Sequence, residues 1–306
     1  MQNQNPADKL LNQIRREISS IYDKSEISLK IKITNYLQIF YKEDTKKREL
    51  LKSGKISETD YRNWRILNII TGKKWQSVLS ALAKELTASD TLADDVVFQK
   101  LQQAYTEGRY YGIYEVEHQT GIATGQAKNI SSNADSLPKR DNSKPDRDFN
   151  RNKRNIESKL MIMIMRFGIP VSAVTGNMQR VTSLNQLYAN NNAYILVTGA
   201  ENAGRIDSYQ ALNKLGFNLS KTWITRGDRR VRNSHGDINR NCIELGKRFR
   251  NGCRFPCDPR GELDEICNCR CKMLVTAGEF KYSQAKVNER LKKLTYKQWR
   301  ENLKDV

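Results

Sequence analysis

The chain has no apolar run near the roughly 18 to 20 residues a bilayer-spanning helix requires; its longest is Leu160 to Met165. A membrane span is therefore not expected. Histidine is scarce: only His118 and His235 occur in 306 residues, which leaves little for acid–base catalysis. Cysteine is absent from the first 241 residues, so any thiol chemistry is confined to the C-terminal part. Acidic side chains are in deficit, 34 against 53 Lys and Arg, and the formal charge of +19 creates a potential that attracts polyanions. A solubility role is the alternative, and a partner such as nucleic acid accounts better for so lopsided a balance. The first residues, Met1-Gln-Asn-Gln-Asn-Pro-Ala-Asp8, lack the basic start and apolar stretch of a signal peptide. Folding in a reducing cytoplasm is expected, with cysteines as thiols or metal ligands rather than disulfides.

What is present first is helical periodicity. Leu10, Leu11, Ile14, Ile18 and Ile21 recur at three and four residues, and Ile33, Tyr36, Leu37, Phe40 and Tyr41 repeat the pattern. Gly54 is placed to cap the second of these helices, and Ser57 with Asp60 forms a capping box for the next. Trp75, Val78, Leu79, Leu82 and Leu86 form another stripe, followed by Leu92, Val96, Val97, Leu101, Ala104 and Tyr105. The tyrosines Tyr105, Tyr110, Tyr111 and Tyr114 read as helix packing, with base stacking as the functional alternative.

From Gly121 to about Asn155 the apolar pattern gives way to Gly, Ser, Asn, Asp, Lys and Arg, the composition of a linker or mobile arm. Its cations, among them Lys139, Arg140, Arg151, Lys153 and Arg154, are candidate phosphate contacts, although a charged tether also serves simply to stay solvated. Helical pattern returns at Ile156 with Leu160, Ile164 and Phe167, and Gly168-Ile-Pro170 breaks it. Two further helical stretches, Val171 to Val181 and Leu184 to Leu215, end at Gly216.

All six cysteines lie between Cys242 and Cys271, with His235 just ahead. In Cys267-Asn-Cys269-Arg-Cys271-Lys-Met273-Leu-Val275 every odd position is cysteine or apolar, so a strand here would line three sulfurs along one face. Buried thiols acting as small hydrophobes are one reading. Zinc is the other, since it takes thiolate and imidazole donors brought together in close pairs, and Cys253-Arg-Phe-Pro-Cys257 supplies a second pair. For that reading His235, Cys269 and Cys271 come first, with Cys253, Cys257 or Cys267 completing the set.

The run Lys221-Thr-Trp-Ile-Thr-Arg-Gly-Asp-Arg-Arg-Val-Arg-Asn-Ser-His235, then Phe255-Pro-Cys-Asp-Pro259 and Glu265-Ile-Cys-Asn-Cys-Arg-Cys271, resembles the C-terminal signature of the Mu protein F-like phage minor head proteins. Trp223, Asp228, Val231, Arg232, His235, Pro256, Asp258, Pro259, Asn268, Cys269, Arg270 and Cys271 fall on its positions. In the preceding helix only Glu201 of the family's Thr-Glu pair is kept, and Cys242, Cys253, Cys257 and Cys267 are not signature positions. The resemblance spans about Ile156 to Thr276. It implies a virion or procapsid protein of low copy number, made in the host cytoplasm, located in the capsid interior, and associated with the portal protein, other head proteins and packaged double-stranded DNA.

A metal-dependent nuclease or toxin module is the enzymatic rival, but it needs a base and ligands beyond a structural zinc, and the histidines are too few. A zinc-stapled nucleic-acid-binding regulator is a second rival, using Arg226, Arg229, Arg230 and Arg232 as a phosphate clamp, yet no recognition helix follows that run. The expectation is a non-enzymatic protein that contacts DNA without sequence specificity through this run and the linker cations. Asp228 is expected to pair with a neighbouring arginine. The expected architecture is α+β: a helical N-terminal domain (1–120), a basic flexible linker (121–155), a head-morphogenesis domain with a Cys-rich α+β module (156–278) whose cysteine strand pairs with Trp223-Ile-Thr225, and a basic C-terminal helix (279–306).

Overall fold

The computed structural model describes residues 6–130, 137–165, 170–278 and 286–303. Phe167, Gly168 and Ile169 of the expected helix break, and residues 131–136 of the expected linker, lie outside these. Among the described residues, eight α-helices and a three-stranded sheet make a mostly helical protein with a small α+β module near its C-terminus, as the hydrophobic patterning implied. The helices are longer than the patterning suggested. α1 runs unbroken over Pro6–Lys52, α3 over Lys73–Thr120 and α5 over Val171–Lys214, where two stretches each were expected. The reason lies in the buried stripe of α1: it continues through Ile18, Tyr22, Ser25, Leu29, Ile33, Leu37, Phe40 and Asp44, so polar residues occupy core positions and interrupt the apolar signal without interrupting the helix.

The local signals at helix ends hold. Gly54 adopts the left-handed conformation (φ 69°) after α1, and its N–H donates to the Leu51 carbonyl. α2, Glu58–Ile66, opens on the reciprocal Ser57 and Asp60 capping box and runs into a π-helical turn, Leu67–Thr71.

α4, Lys144–Ile164, corrects the linker reading. Residues 144–155 are helical, and the inward face of that stretch is polar: Asp148 and Asn152 are buried in line with Ile156, Leu160 and Ile164. An apolar-periodicity argument cannot see such a face. The expected sequential domains are corrected as well, because compactness divides the chain into one unit of residues 15–96 and 141–190 and another of 1–14, 97–140 and 191–306. α1, α3 and α5 contribute residues to both. Long helices make this possible, since a 40-residue helix is about 60 Å long and outreaches a single small core.

In the unit of residues 15–96 and 141–190, four helices meet at Asp90. Its carboxylate accepts hydrogen bonds from Tyr22 of α1 (2.5 Å), Asn152 of α4 (2.8 Å), Asn185 of α5 (3.0 Å) and Arg151 of α4 (3.1 Å), while Asn185 also donates to Asn152 (2.8 Å). A second buried carboxylate, Asp44, accepts from Tyr61 and Arg65, and Arg65 also donates to the Ile164 carbonyl at the end of α4 (2.7 Å). A helix end leaves such carbonyls without an intrahelical partner, so one guanidinium caps α4 and neutralises Asp44.

The other unit holds the sheet. β1 (Leu219–Ile224) lies between β2 (Cys242–Glu244) and β3 (Lys272–Ala277), all antiparallel, with Trp223 opposite Met273 and Lys221 opposite Val275. The expected pairing is present only in part: Trp223 and Ile224 pair with Met273 and Lys272, downstream of the cysteines, which precede the strand. α3 and α5 cross at backbone contact here: a Cβ on Gly108 would stand 2.1 Å from the Glu201 carbonyl oxygen, and one on Gly204 2.1 Å from that of Tyr105. Residues 279–285 and 304–306 of the expected C-terminal helix lie outside the described residues; among those described, the helix is α8, Tyr296–Asn302, preceded by a 3-10 turn at Leu291–Lys293, and Val287 is exposed. Trp299 of α8 is buried among Tyr114 and Tyr296 and donates to Glu117 (2.7 Å), so the tyrosine cluster is packing.

Replacing Asp90 by leucine leaves Tyr22, Asn152 and Asn185 with buried donors and no acceptor, at about 1 to 3 kcal/mol for each group so stranded. A loss on the order of 3 kcal/mol in urea unfolding is expected; a loss under about 1 kcal/mol would show that the four donors find other partners.

Candidate metal centre

The site is assembled by the turns around the sheet. Trp223 ends the buried face of β1, and its ring meets His235 edge-on at 5.0 Å between centroids and Phe249 at 5.1 Å. His235 sits on α6 (Asn233–Asp237), held against the opposite segment by Arg232, whose guanidinium donates to the carbonyls of Glu265 (3.3 Å) and Cys267. After α7 (Leu263–Ile266), Asn268 takes the left-handed conformation (φ 55°), which asparagine tolerates better than other side chains. That turn presents Cys269 and Cys271 inward just ahead of β3.

His235, Cys269 and Cys271 thus converge, all three buried, with ligand atoms within 4.8 Å of one another. Nδ1 of His235 lies 3.3 Å from Sγ of Cys271 and 3.9 Å from Sγ of Cys269. The other ring nitrogen, Nε2, is 2.9 Å from Oε2 of Glu265, a carboxylate that also accepts from Ser234 and Asn251 at 3.1 Å each. The carboxylate is close to Nε2 but not aligned for a hydrogen bond; its proximity favours the tautomer protonated there, which leaves the Nδ1 lone pair toward the sulfurs. This group could hold a metal ion, and it comprises the three residues the sequence put first.

The remaining cysteines divide. Cys257 is buried, its Sγ 3.8 Å from the Cys269 carbonyl. Cys253 is buried in the apolar cluster with Phe249 and Ile266. Cys242 is exposed and donates to Ser220 (3.1 Å). The strand reading is corrected: β3 begins only at Lys272, so none of the three cysteines is on it; Cys267 lies half-buried in the turn after α7, and Cys269 and Cys271 follow the left-handed Asn268 in the irregular segment before the strand. Thiol donation from Cys257, then from Cys271, holds Cys269 far below the usual thiol range, against the effect of burial. The donors themselves are pushed up, first by that same hydrogen bond to Cys269 and then by burial. Burial pushes Cys253 up to about 12.

α5 clamps the Cys257 turn from outside. A Cβ on Gly199 would stand 2.4 Å from the Cys257 carbonyl oxygen, and Asn202 donates to the Pro256 carbonyl (2.9 Å). Cys257 is itself left-handed (φ 61°), which costs a residue with a Cβ about 1 to 2 kcal/mol. Asp258, fully buried, receives Arg254 through two guanidinium contacts (3.0 and 2.9 Å) and its backbone N–H (2.8 Å). Glu265, Gly199 and Asn202 had no role in the sequence reading. Glu265 stands within the quoted signature run, but spacing does not reveal that its carboxylate reaches the far edge of the imidazole.

Asp228 pairs with an arginine as expected, but with Arg270, through two contacts of 2.6 Å, and that pairing holds its carboxyl down at about 2. Of the candidate DNA contacts, Arg226, Arg229 and Arg230 are exposed and precede the centre, whereas Arg232 is spent on the two carbonyls. Lys139 and Arg140 are exposed, Arg140 lying over the Phe98 ring. On α4, Arg154 is exposed and Lys153 half-buried, while Arg151 pairs with Asp90 and Asp148.

Beneath the centre, Lys221 is fully buried on β1, its ammonium donating to the Leu245 carbonyl (2.8 Å) over the Phe249 ring. Burial, aided by Arg254, lowers its pKa to about 8. A folded value below the unfolded one means the unfolded chain binds more protons between the two, so stability rises with pH from about 8 toward 10.5. Relative to Lys221→Met, the natural chain should gain up to about 3 kcal/mol over that window in urea unfolding under reductant; parallel curves would refute it. No family model, curated protein or solved structure matches the chain.

Proposed function

We infer that this chain is a minor head protein of a tailed double-stranded DNA phage, acting in head morphogenesis as a non-enzymatic, portal-associated component that meets packaged DNA without reading its sequence. One observation carries the reading: the scattered positions of the head-protein signature form a single contact set. Trp223 packs on His235, Asp228 grips Arg270, Arg232 ties the His235 segment to the Cys267 turn, Asn268 makes that turn, and His235 faces Cys269 and Cys271. Eight of the twelve positions, spaced over some 50 residues and meeting in one place, support the view that the resemblance reflects a shared structural unit. The portal contact and the location inside the head follow from the resemblance alone.

Zinc is the ion that suits the centre, because paired thiolates with an imidazole select it over oxygen-preferring cations. Its role is structural: the donors are buried, and the ion would tie α6 to the approach of β3. Binding energy of that kind is folding energy. A chelator should therefore loosen residues 223–275 in hydrogen exchange while leaving the Asp90 helices protected, and His235→Ala should do the same without chelator. Protein purified without an affinity tag that contains less than about a tenth of an equivalent of zinc, and whose melting ignores the chelator, would end the metal assignment.

The charge of +19 and the exposed Arg226, Arg229 and Arg230 support contact with a polyanion. Counterion release makes such binding strongly salt-dependent and indifferent to sequence. Changing those three arginines to alanine should lower the slope of log affinity against log salt by about 2 to 3. An unchanged slope removes them from the interface, and salt-resistant or sequence-selective binding overturns the DNA reading. The head assignment is tested by mass spectrometry of gradient-purified particles from the encoding genome, where the chain should co-sediment with heads at a few copies each; its absence from every head fraction would overturn it.

A further inference from the structure

We propose that Cys257 is the fourth ligand of the centre, closing it as a tetrahedron of three sulfurs and one nitrogen; this rests on the reading that His235, Cys269 and Cys271 hold an ion. Three donors leave one position of a tetrahedral ion open, and a structural site fills it from the protein. The neighbours can be taken in turn. Glu265 is on the Nε2 edge of His235, opposite the edge that faces the sulfurs, so it orients the ring and does not share the ion. Cys242 is exposed on β2, and Cys267 sits in a turn whose carbonyl is held by Arg232.

Cys253 and Cys257 remain, both buried. Cys253 stands against Gly261, where an added Cβ would lie 2.6 Å from its sulfur, in the apolar cluster with Phe249 and Ile266. Cys257 already reaches the Cys269 segment, its Sγ 3.8 Å from the Cys269 carbonyl. Its backbone is also placed: the left-handed φ of 61°, the Gly199 contact on its carbonyl and the Asn202 bond to Pro256 hold the turn against α5. A residue with a Cβ persists in that conformation where its surroundings over-determine it, and such residues gather at ligand clamps. The sulfur of Cys257 lies outside the set of three whose atoms fall within 4.8 Å, so ion binding draws it in by rotation about its Cα–Cβ bond, with the backbone already in place.

X-ray absorption at the zinc edge of the full-length protein counts the ligands without a substitution: three sulfurs near 2.3 Å and one nitrogen near 2.0 Å are expected, and two sulfurs would overturn the proposal. Cobalt(II) loading then identifies the third sulfur. Cys257→Ser should lose about one third of the thiolate-to-cobalt charge-transfer intensity, while Cys253→Ser and Cys267→Ser keep it. Loss in Cys253→Ser with retention in Cys257→Ser would assign the ligand to Cys253 instead. A natural chain that takes up neither metal would remove the centre itself, an outcome distinct from a misassigned ligand. Should Cys257→Ser fail to fold, the sulfur count on the unsubstituted chain decides alone.

Discussion

Four helices cannot bury one carboxylate unless each brings it a donor or a neighbour, and Asp90 imposes that constraint on α1, α3, α4 and α5. Tyr22, Asn152 and Asn185 each have one position at which they reach it. Sliding any helix by a residue turns its donor away by about 100° and strands a polar group in the core. Apolar stripes alone tolerate such slips, because one leucine replaces another at modest cost. The polar layer is thus what gives long, otherwise uniform helices a single register. It weakens each stripe where it passes and fixes how the stripes align.

The C-terminal module solves a different version of the same problem. Four thiols and an imidazole are buried within a small three-stranded unit that has little apolar surface of its own. Cys269 and Cys271 face Nδ1 of His235, and the Glu265 carboxylate lies 2.9 Å from its Nε2. Burying such charge is costly unless a cation or a proton meets it. α5 supplies the rigid wall: Gly199 and Asn202 hold the Cys257 turn, and Arg205 donates to the Met273 carbonyl of β3 (2.9 Å) while paired with Glu115 of α3 (2.7 Å). The Cys257 turn and the strand that follows Cys271 are therefore both referred to one helix.

Sequence reasoning succeeded where one residue's chemistry decides a local outcome. Gly54, the Ser57–Asp60 box, the pairing of β1 with β3 and the three central donors belong to that class. It failed where a position takes its meaning from a partner far along the chain. Asp44, Asp90 and Asn185 look like interruptions of the stripes until their partners are known, and so three helices were cut short. Asp148 and Asn152 made a helix look like a tether. Cys267 seemed equivalent to Cys269 and Cys271 under a period of two, and the left-handed Asn268 removed that equivalence with a single φ angle.

The distribution of cations carries a last consequence for how the charge of +19 is used. Lys144 bridges Asp94 and Asp148, Arg147 holds Asp141 and Arg151 spans Asp90 and Asp148, so this part of α4 is neutralised by its own neighbours. A cation already paired must break that pair before it meets a phosphate, which offsets most of the gain from counterion release. The arginines at 226, 229 and 230 lie on an exposed loop whose single acid, Asp228, is occupied by Arg270. Pairing Asp228 elsewhere leaves that loop with uncompensated positive charge beside the buried centre. The Asp228–Arg270 pair therefore sets the shape of the loop and leaves its cations without a neighbouring acid.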